Sequence, residues 1–299
     1  MQTLDRVHNP PSKRLPPRSA DCHMHVFGPF DRFPLAAERA YNVDEAPLAA
    51  HEHMKRQVGL ERTVLVQASG HGLDNRAMLA ALAELGAGGR AVAVVAPDAP
   101  RAELEALHAA GVRGARLNLH SLAGRYADAP APLIARFART LGPLGWHLQL
   151  FTDAPTLAGL EPVLAHAPID IVIDHMGLPD AREGVDQPGF QAMRRLLRTG
   201  RVWSKLAGAD RVTRYTGRLR DAIPFMQALV DAAPERLVWG SDWPNIGFHS
   251  RQQIADDHVL PHRELDAGEL LDLLIEAVPD AREREEILAG NPERLYGFV

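Results

Sequence analysis

The chain has 299 residues, 46% hydrophobic and 24% charged, enough to bury a large core without staples. That length suits one α/β barrel better than two small domains. A formal net charge of -5 excludes a broad basic field for nucleic acid, and the single cysteine, Cys22, excludes an internal disulfide. No apolar run approaches the ~20 residues of a membrane span.

Residues 1–19 carry Pro10, Pro11, Pro16 and Pro17 among Lys13, Arg14 and Arg18. They lack the apolar segment of a signal peptide, so they read as an extended N-terminal arm and a cytoplasmic protein is expected. From residue 20 to 299 short β-branched runs alternate with segments of helical period, the pattern of a TIM-type (β/α)8 barrel, allowing for distortion. Strands are predicted over Ala20 to His25, Thr63 to Ala68, Ala91 to Ala96, Gly114 to Leu119, His147 to Thr152, Ile169 to Asp174, Val202 to Leu206 and Leu237 to Gly240. Helical stretches fall at 46–58, 75–86, 101–110, 132–142, 156–166, 188–199 and 222–233, and extra C-terminal helices around 268–278 and 281–288. A last turn opens at Asn291-Pro292, with proline at a tolerated first position. A doubly wound open sheet fits less well, because no glycine-rich phosphate loop follows the first strand.

In a parallel barrel the catalytic groups stand at the C-terminal ends of the strands. The first strand ends in His23 and His25, two residues apart and therefore on one face. The second exit offers Gln67, Ser69 and His71, the fourth Arg116 and Asn118, the sixth Asp174 and His175. The seventh offers Ser204 and Lys205, followed by Asp210 and Arg211, and the eighth Ser241 and Asp242. Three histidines and an aspartate at such exits predict a reactive site. The guanidinium forks of Arg116 and Arg211, with Arg125 from a following loop, are candidates to hold a substrate carboxylate.

Five segments in order carry a resemblance: Asp21 to Pro29, Val66 to Gly72, Ile173 to Gly177, Trp239 to Pro244 and Asn291 to Tyr296. The chain resembles the amidohydrolase superfamily and, within it, the 2-pyrone-4,6-dicarboxylate lactonases, which open a cyclic ester. That resemblance implies a TIM-type barrel, a strand-eight aspartate that activates water, and His23, His25 and His175 around the scissile carbonyl. It also places Tyr41 and Ser69 against the substrate, and it implies turnover without a metal. Asn118 and His71 join these as candidate contacts. Two departures stand out: Phe151 replaces a tyrosine, and Leu122 lies near the position of a second arginine. A related small anionic lactone, with one carboxylate fewer or a sulfonate, is therefore an open alternative.

The strand-four and strand-five exits lack the ligands of a binuclear centre, but a single Zn²⁺ on His23, His25, His175 and Asp242 is chemically reasonable. A mononuclear metal-dependent hydrolase or decarboxylase and a lactone isomerase remain alternatives to metal-free lactone hydrolysis. A non-catalytic anion-binding barrel would have no need of the base.

Overall fold

The computed structural model describes residues 4, 6–39, 41–120, 130–248 and 258–299. Eight strands form one parallel sheet in sequential order: β1 (Ala20–Met24), β2 (Arg62–Val66), β3 (Gly89–Ala93), β4 (Val112–Asn118), β5 (His147–Phe151), β6 (Ile171–Ile173), β7 (Val202–Leu206) and β8 (Leu237–Trp239). Each predicted strand has its counterpart. β3 runs two residues earlier than the sequence suggests, and β6 stops at Ile173 because Asp174–Gly177 turns sharply, with His175 and Met176 at positive φ. A short parallel pair, Asn42–Val43 with Val259–Leu260, was not foreseen.

Helices cover the outer face, among them Leu48–Val58, Arg76–Leu85, Arg101–Ala109, Pro130–Leu141, Ala154–Leu164 and Pro188–Leu197. The outward residues of the strands, such as Leu65, Ala91, Leu117, Leu148, Ile171 and Leu237, pack with those helices in one continuous core. At the N-terminal end the inward residues Ala20, Cys22, Val64, Val92 and Val238 meet Tyr296 and Phe298. The C-terminal helix Asn291–Tyr296 delivers these aromatics, and the Asn291 side chain ties it to the Leu237 carbonyl at 2.6 Å.

Strand β1 is irregular in a way that shapes the site. Asp21 pairs with Thr63 and Met24 with Leu65, so β1 holds one more residue than its partner over this interval, a bulge. Cys22 can then face the lower core while His23 faces the catalytic end. The seam between β1 and β8 is closed just beyond β8: Asp242 N donates to the His23 carbonyl and His25 N to the Trp243 carbonyl, both at 2.9 Å.

Residues 6–19 form no helix or strand and cross to the C-terminal region. His8 Nδ1 accepts from Ala267 N at 3.0 Å, and the backbone N–H of Ser12 donates to Asp272 at 2.7 Å.

Candidate active site

Asp242 is the hub. It follows β8 at positive φ and is buried, with its two carboxylate oxygens in opposite surroundings. Oδ2 faces cations: Arg211 Nε donates to it at 2.6 Å and Arg263 Nη2 lies 3.6 Å away. Oδ1 faces imidazoles, with His175, His23 and His25 Nε2 at 3.6, 3.8 and 3.9 Å, and it has no hydrogen-bond partner among the described residues. Burial alone would raise the Asp242 carboxyl, but Arg211, the histidines and Arg263 together hold it well below the usual carboxylate range.

What each histidine can offer at Nε2 depends on its other nitrogen. His25 Nδ1 donates to the Val66 carbonyl at 2.8 Å, so neutral His25 presents a lone pair at Nε2. His23 Nδ1 lies 3.3 Å from Asp174 Oδ1, which favours the same tautomer. His175 Nδ1 has no hydrogen-bond partner among the described residues, leaving its tautomer free, and it packs against Gly208, where a Cβ would come within 2.9 Å of that nitrogen. Burial, helped by Lys205 for His23 and by Arg116 for His25, holds both imidazoles down at about 4, and His175 also lies well below its ordinary value. All three are neutral near pH 7.

Behind this first layer lies buried charge that the sequence reading did not assign. Asp174 holds His23 by Oδ1 and accepts from Arg116 Nε at 3.1 Å by Oδ2, while Lys205 Nζ sits 3.9 Å away and donates to the Cys22 carbonyl at 2.8 Å. Asp21 accepts from the backbone N–H of His23 and of Ser241, from Ser241 Oγ and from His51 Nε2. It thus clamps β1, β8 and helix Leu48–Val58 together. Arg263 reaches the site from outside any barrel strand, anchored by Asp210 at 2.5 Å and by the Ile246 carbonyl. Its sequence neighbourhood gave no periodic signal. Asp21 could have been noticed from its spacing of two from His23.

Above Asp242 opens a cavity lined by His25, Tyr41, Ser69, Arg116, Asn118, Phe151, His175, Arg211 and Ile246. The structure therefore gathers Arg116, Arg211, Ser69, Tyr41 and Asn118 with the histidines. Each arginine spends Nε on a protein carboxylate, and its terminal nitrogens make no hydrogen bond among the described residues. Tyr41 is pushed up to about 12 by burial and stays a phenol. Phe151 lies against Arg116 and, edge to face, against His175. His71 is not among the lining residues: its ring stacks on Phe27 and its Nδ1 meets the Pro34 carbonyl at 3.1 Å. Arg125 and Leu122 lie outside the described residues.

The donor set fits a cation. Two of the imidazoles present lone pairs towards an unpartnered carboxylate oxygen, and zinc ligands in a tetrahedron stand roughly 3.4 Å apart, a little closer than these atoms. His23, His25 and Asp242 form one group with ligand atoms within 4.8 Å of one another, and His23, Asp174 and His175 a second.

A parallel eight-stranded barrel carries a carboxylate ringed by histidines at its C-terminal end, where barrel enzymes place their reacting groups. The amidohydrolase family profile matches residues 20–298, and the chain belongs to that family. It is 36% identical to a 2-pyrone-4,6-dicarboxylate hydrolase of Comamonas testosteroni, over 98% of this chain and 95% of that one. It is 32% identical to a 4-sulfomuconolactone hydrolase of Hydrogenophaga intermedia, over 97% and 92%. A solved structure from Acinetobacter baumannii, a probable 2-pyrone-4,6-dicarboxylic acid hydrolase with citric acid bound, superposes with a TM-score of 0.76 at 29% identity, covering 94% of this chain and all of that one. No helix among the described residues is long and apolar enough to cross a membrane.

Proposed function

We propose that the protein hydrolyses a carboxylated lactone or pyrone, with Asp242 as the group that takes a proton from water. The observation that carries this is the asymmetry of that carboxylate: Oδ2 is held by Arg211, whereas Oδ1, facing the three imidazoles beside the cavity, has no hydrogen-bond partner among the described residues. The names of the two relatives, both hydrolases of cyclic esters, support the reaction class.

Water donating to Oδ1 attacks the ring carbonyl. Its oxygen forms the new C–O bond and its proton passes to Asp242. Negative charge then develops on the carbonyl oxygen. Neutral His25 keeps its proton on Nδ1, and His23 favours doing so, leaving His175 as the imidazole best able to donate there through Nε2. Collapse breaks the bond to the ring oxygen, which takes the proton from Asp242, leaving a hydroxyl or enol and a carboxylic acid that ionises to the carboxylate by losing its own proton to solvent. Arg116, Arg211 and Tyr41 hold the substrate's own carboxylate.

The lone pairs at His23 and His25 favour a second reading, a mononuclear metal hydrolase. His23, His25, His175 and Asp242 would hold the ion, which would polarise the carbonyl and acidify water. Metal analysis paired with an absorbance assay of pyrone-dicarboxylate opening, before and after chelation, separates the two. Turnover by metal-free protein supports the first; near-stoichiometric zinc with chelator-sensitive turnover supports the second. No opening of any carboxylated lactone overturns both.

A further inference from the structure

We propose that the body of the ligand sits in an apolar chamber beside the catalytic cavity, and that this chamber selects a lactone with one carboxylate and a neutral, apolar substituent. The inference rests on the lactone reading above and narrows its substrate class.

The catalytic cavity holds only about 30 Å³ of free space. That admits a water or two, whereas small-ligand sites start at roughly 300 Å³. Next to it lies a second space of about 340 Å³. Ser69, Arg116 and Asn118 line both spaces, and the hydrogen bond from Asn118 Nδ2 to Ser69 Oγ, 2.8 Å, lies along the shared wall. The two spaces thus meet at these three residues, so a ligand whose reacting carbonyl and carboxylate enter the smaller space leaves its substituent in the larger one.

Beyond that wall the lining is mainly hydrocarbon: Leu73, Val94, Val95, Pro97, Leu117 and Phe137. Leu73 is 62% exposed, a large apolar side chain left uncovered at the rim. Among the described lining residues Arg116 is the one cation, and it stands in the shared wall. A carboxylate meeting Arg116 leaves the remainder of the ligand against these apolar groups. Among the described lining residues a second carboxylate there would find no further cation and would approach Glu38, whereas an alkyl or aryl group gains with each methylene buried.

Calorimetry with benzoate and 4-butylbenzoate tests the chamber without relying on turnover. The wild-type protein is expected to bind 4-butylbenzoate at least ~10-fold more tightly than benzoate. Ala96 lines the chamber and is exposed, outside the reacting groups. Ala96→Trp should bring the affinity ratio towards one with benzoate unchanged, and Leu73→Glu at the rim should lower the ratio as a second, independent variant. Equal affinities in the wild type, no binding of either acid, or a ratio that neither variant moves overturns the proposal. Opening of monocarboxylated pyrones bearing alkyl groups is followed separately. If none is opened while a dicarboxylated pyrone is, the substrate selection fails and the lactone reading stands; if no carboxylated lactone of any kind is opened while the ratio behaves as expected, the chamber stands and the lactone reading fails.

Discussion

The two ends of the barrel interior are built from the same eight strands on opposite terms. At the N-terminal end Ala20, Cys22, Val64, Val92 and Val238 close on Tyr296 and Phe298, and the arginines there, Arg62 and Arg90, lie over the Phe298 ring. At the C-terminal end the buried groups are Asp174, Asp242, three histidines, Arg116 and Lys205, and several of their polar atoms have no protein partner among the described residues. A buried polar atom left unpaired costs about 1–3 kcal/mol. The lower end supplies rigidity that the upper end forgoes, so substitutions at the two ends should separate turnover from stability.

The largest effect is expected at Asp242. Asp242→Asn should lower kcat by at least ~100-fold while a non-reactive carboxylate still binds, and near-native turnover would remove Asp242 as the base. Next comes Arg116→Met, which should raise KM for anionic lactones by roughly 10- to 100-fold with a smaller change in kcat. An unchanged KM would show that Arg116 serves Asp174 alone. Arg263→Met takes one of two cations from Asp242 Oδ2, so the acid limb of the kcat/KM profile should move to higher pH. A limb that stays in place would make Arg263 a packing residue only.

The interior below the site should respond to pH through stability. His147 is buried and its imidazole is pushed down to about 3, first by burial and then by Lys205. The unfolded chain therefore binds a proton that the folded one refuses. Stability on this account is constant above about pH 6.5 and declines as pH falls towards 3, by up to about 1.4 kcal/mol per pH unit. His23 and His25 contribute with the same sign down to about pH 4. Urea midpoints at pH 7 and pH 5 measure this, and equal midpoints would contradict neutral buried imidazoles. The smallest effect belongs to Tyr296→Phe. The tyrosine hydroxyl is buried without a hydrogen-bond partner among the described residues, so its removal should leave stability within ~1 kcal/mol or raise it. A larger loss in chemical denaturation would place an ordered partner at that oxygen.

The barrel was legible because each strand is a short β-branched run with a helical period after it, and that periodicity is local. His23 and His25 were legible for the same reason, a spacing of two on one strand. What stayed hidden depends on side chains meeting across the fold. The β1 bulge shows only in the pairing of Asp21 and Met24 with β2. Nothing local marks Arg263 as a neighbour of Asp242, or Lys205 as a neighbour of Asp174. Arg116 and Arg211 looked like clamps with both edges of the guanidinium available, yet each gives one nitrogen to a protein carboxylate before any ligand arrives.

The seam between β1 and β8 ties chemistry to the order in which the chain is made. The imidazoles of His23 and His25 emerge near the start of synthesis, and the carboxylate they face arrives 217 residues after His25. Strand β1 meets the end of β8 through backbone bonds made by His23, His25, Asp242 and Trp243 themselves. The residues that join the first strand to the last thus include His23, His25 and Asp242, which are proposed to form the catalytic site. A barrel sprung at that junction would keep most of its helices and lose its activity, so turnover is the most sensitive gauge of whether the circle has been completed.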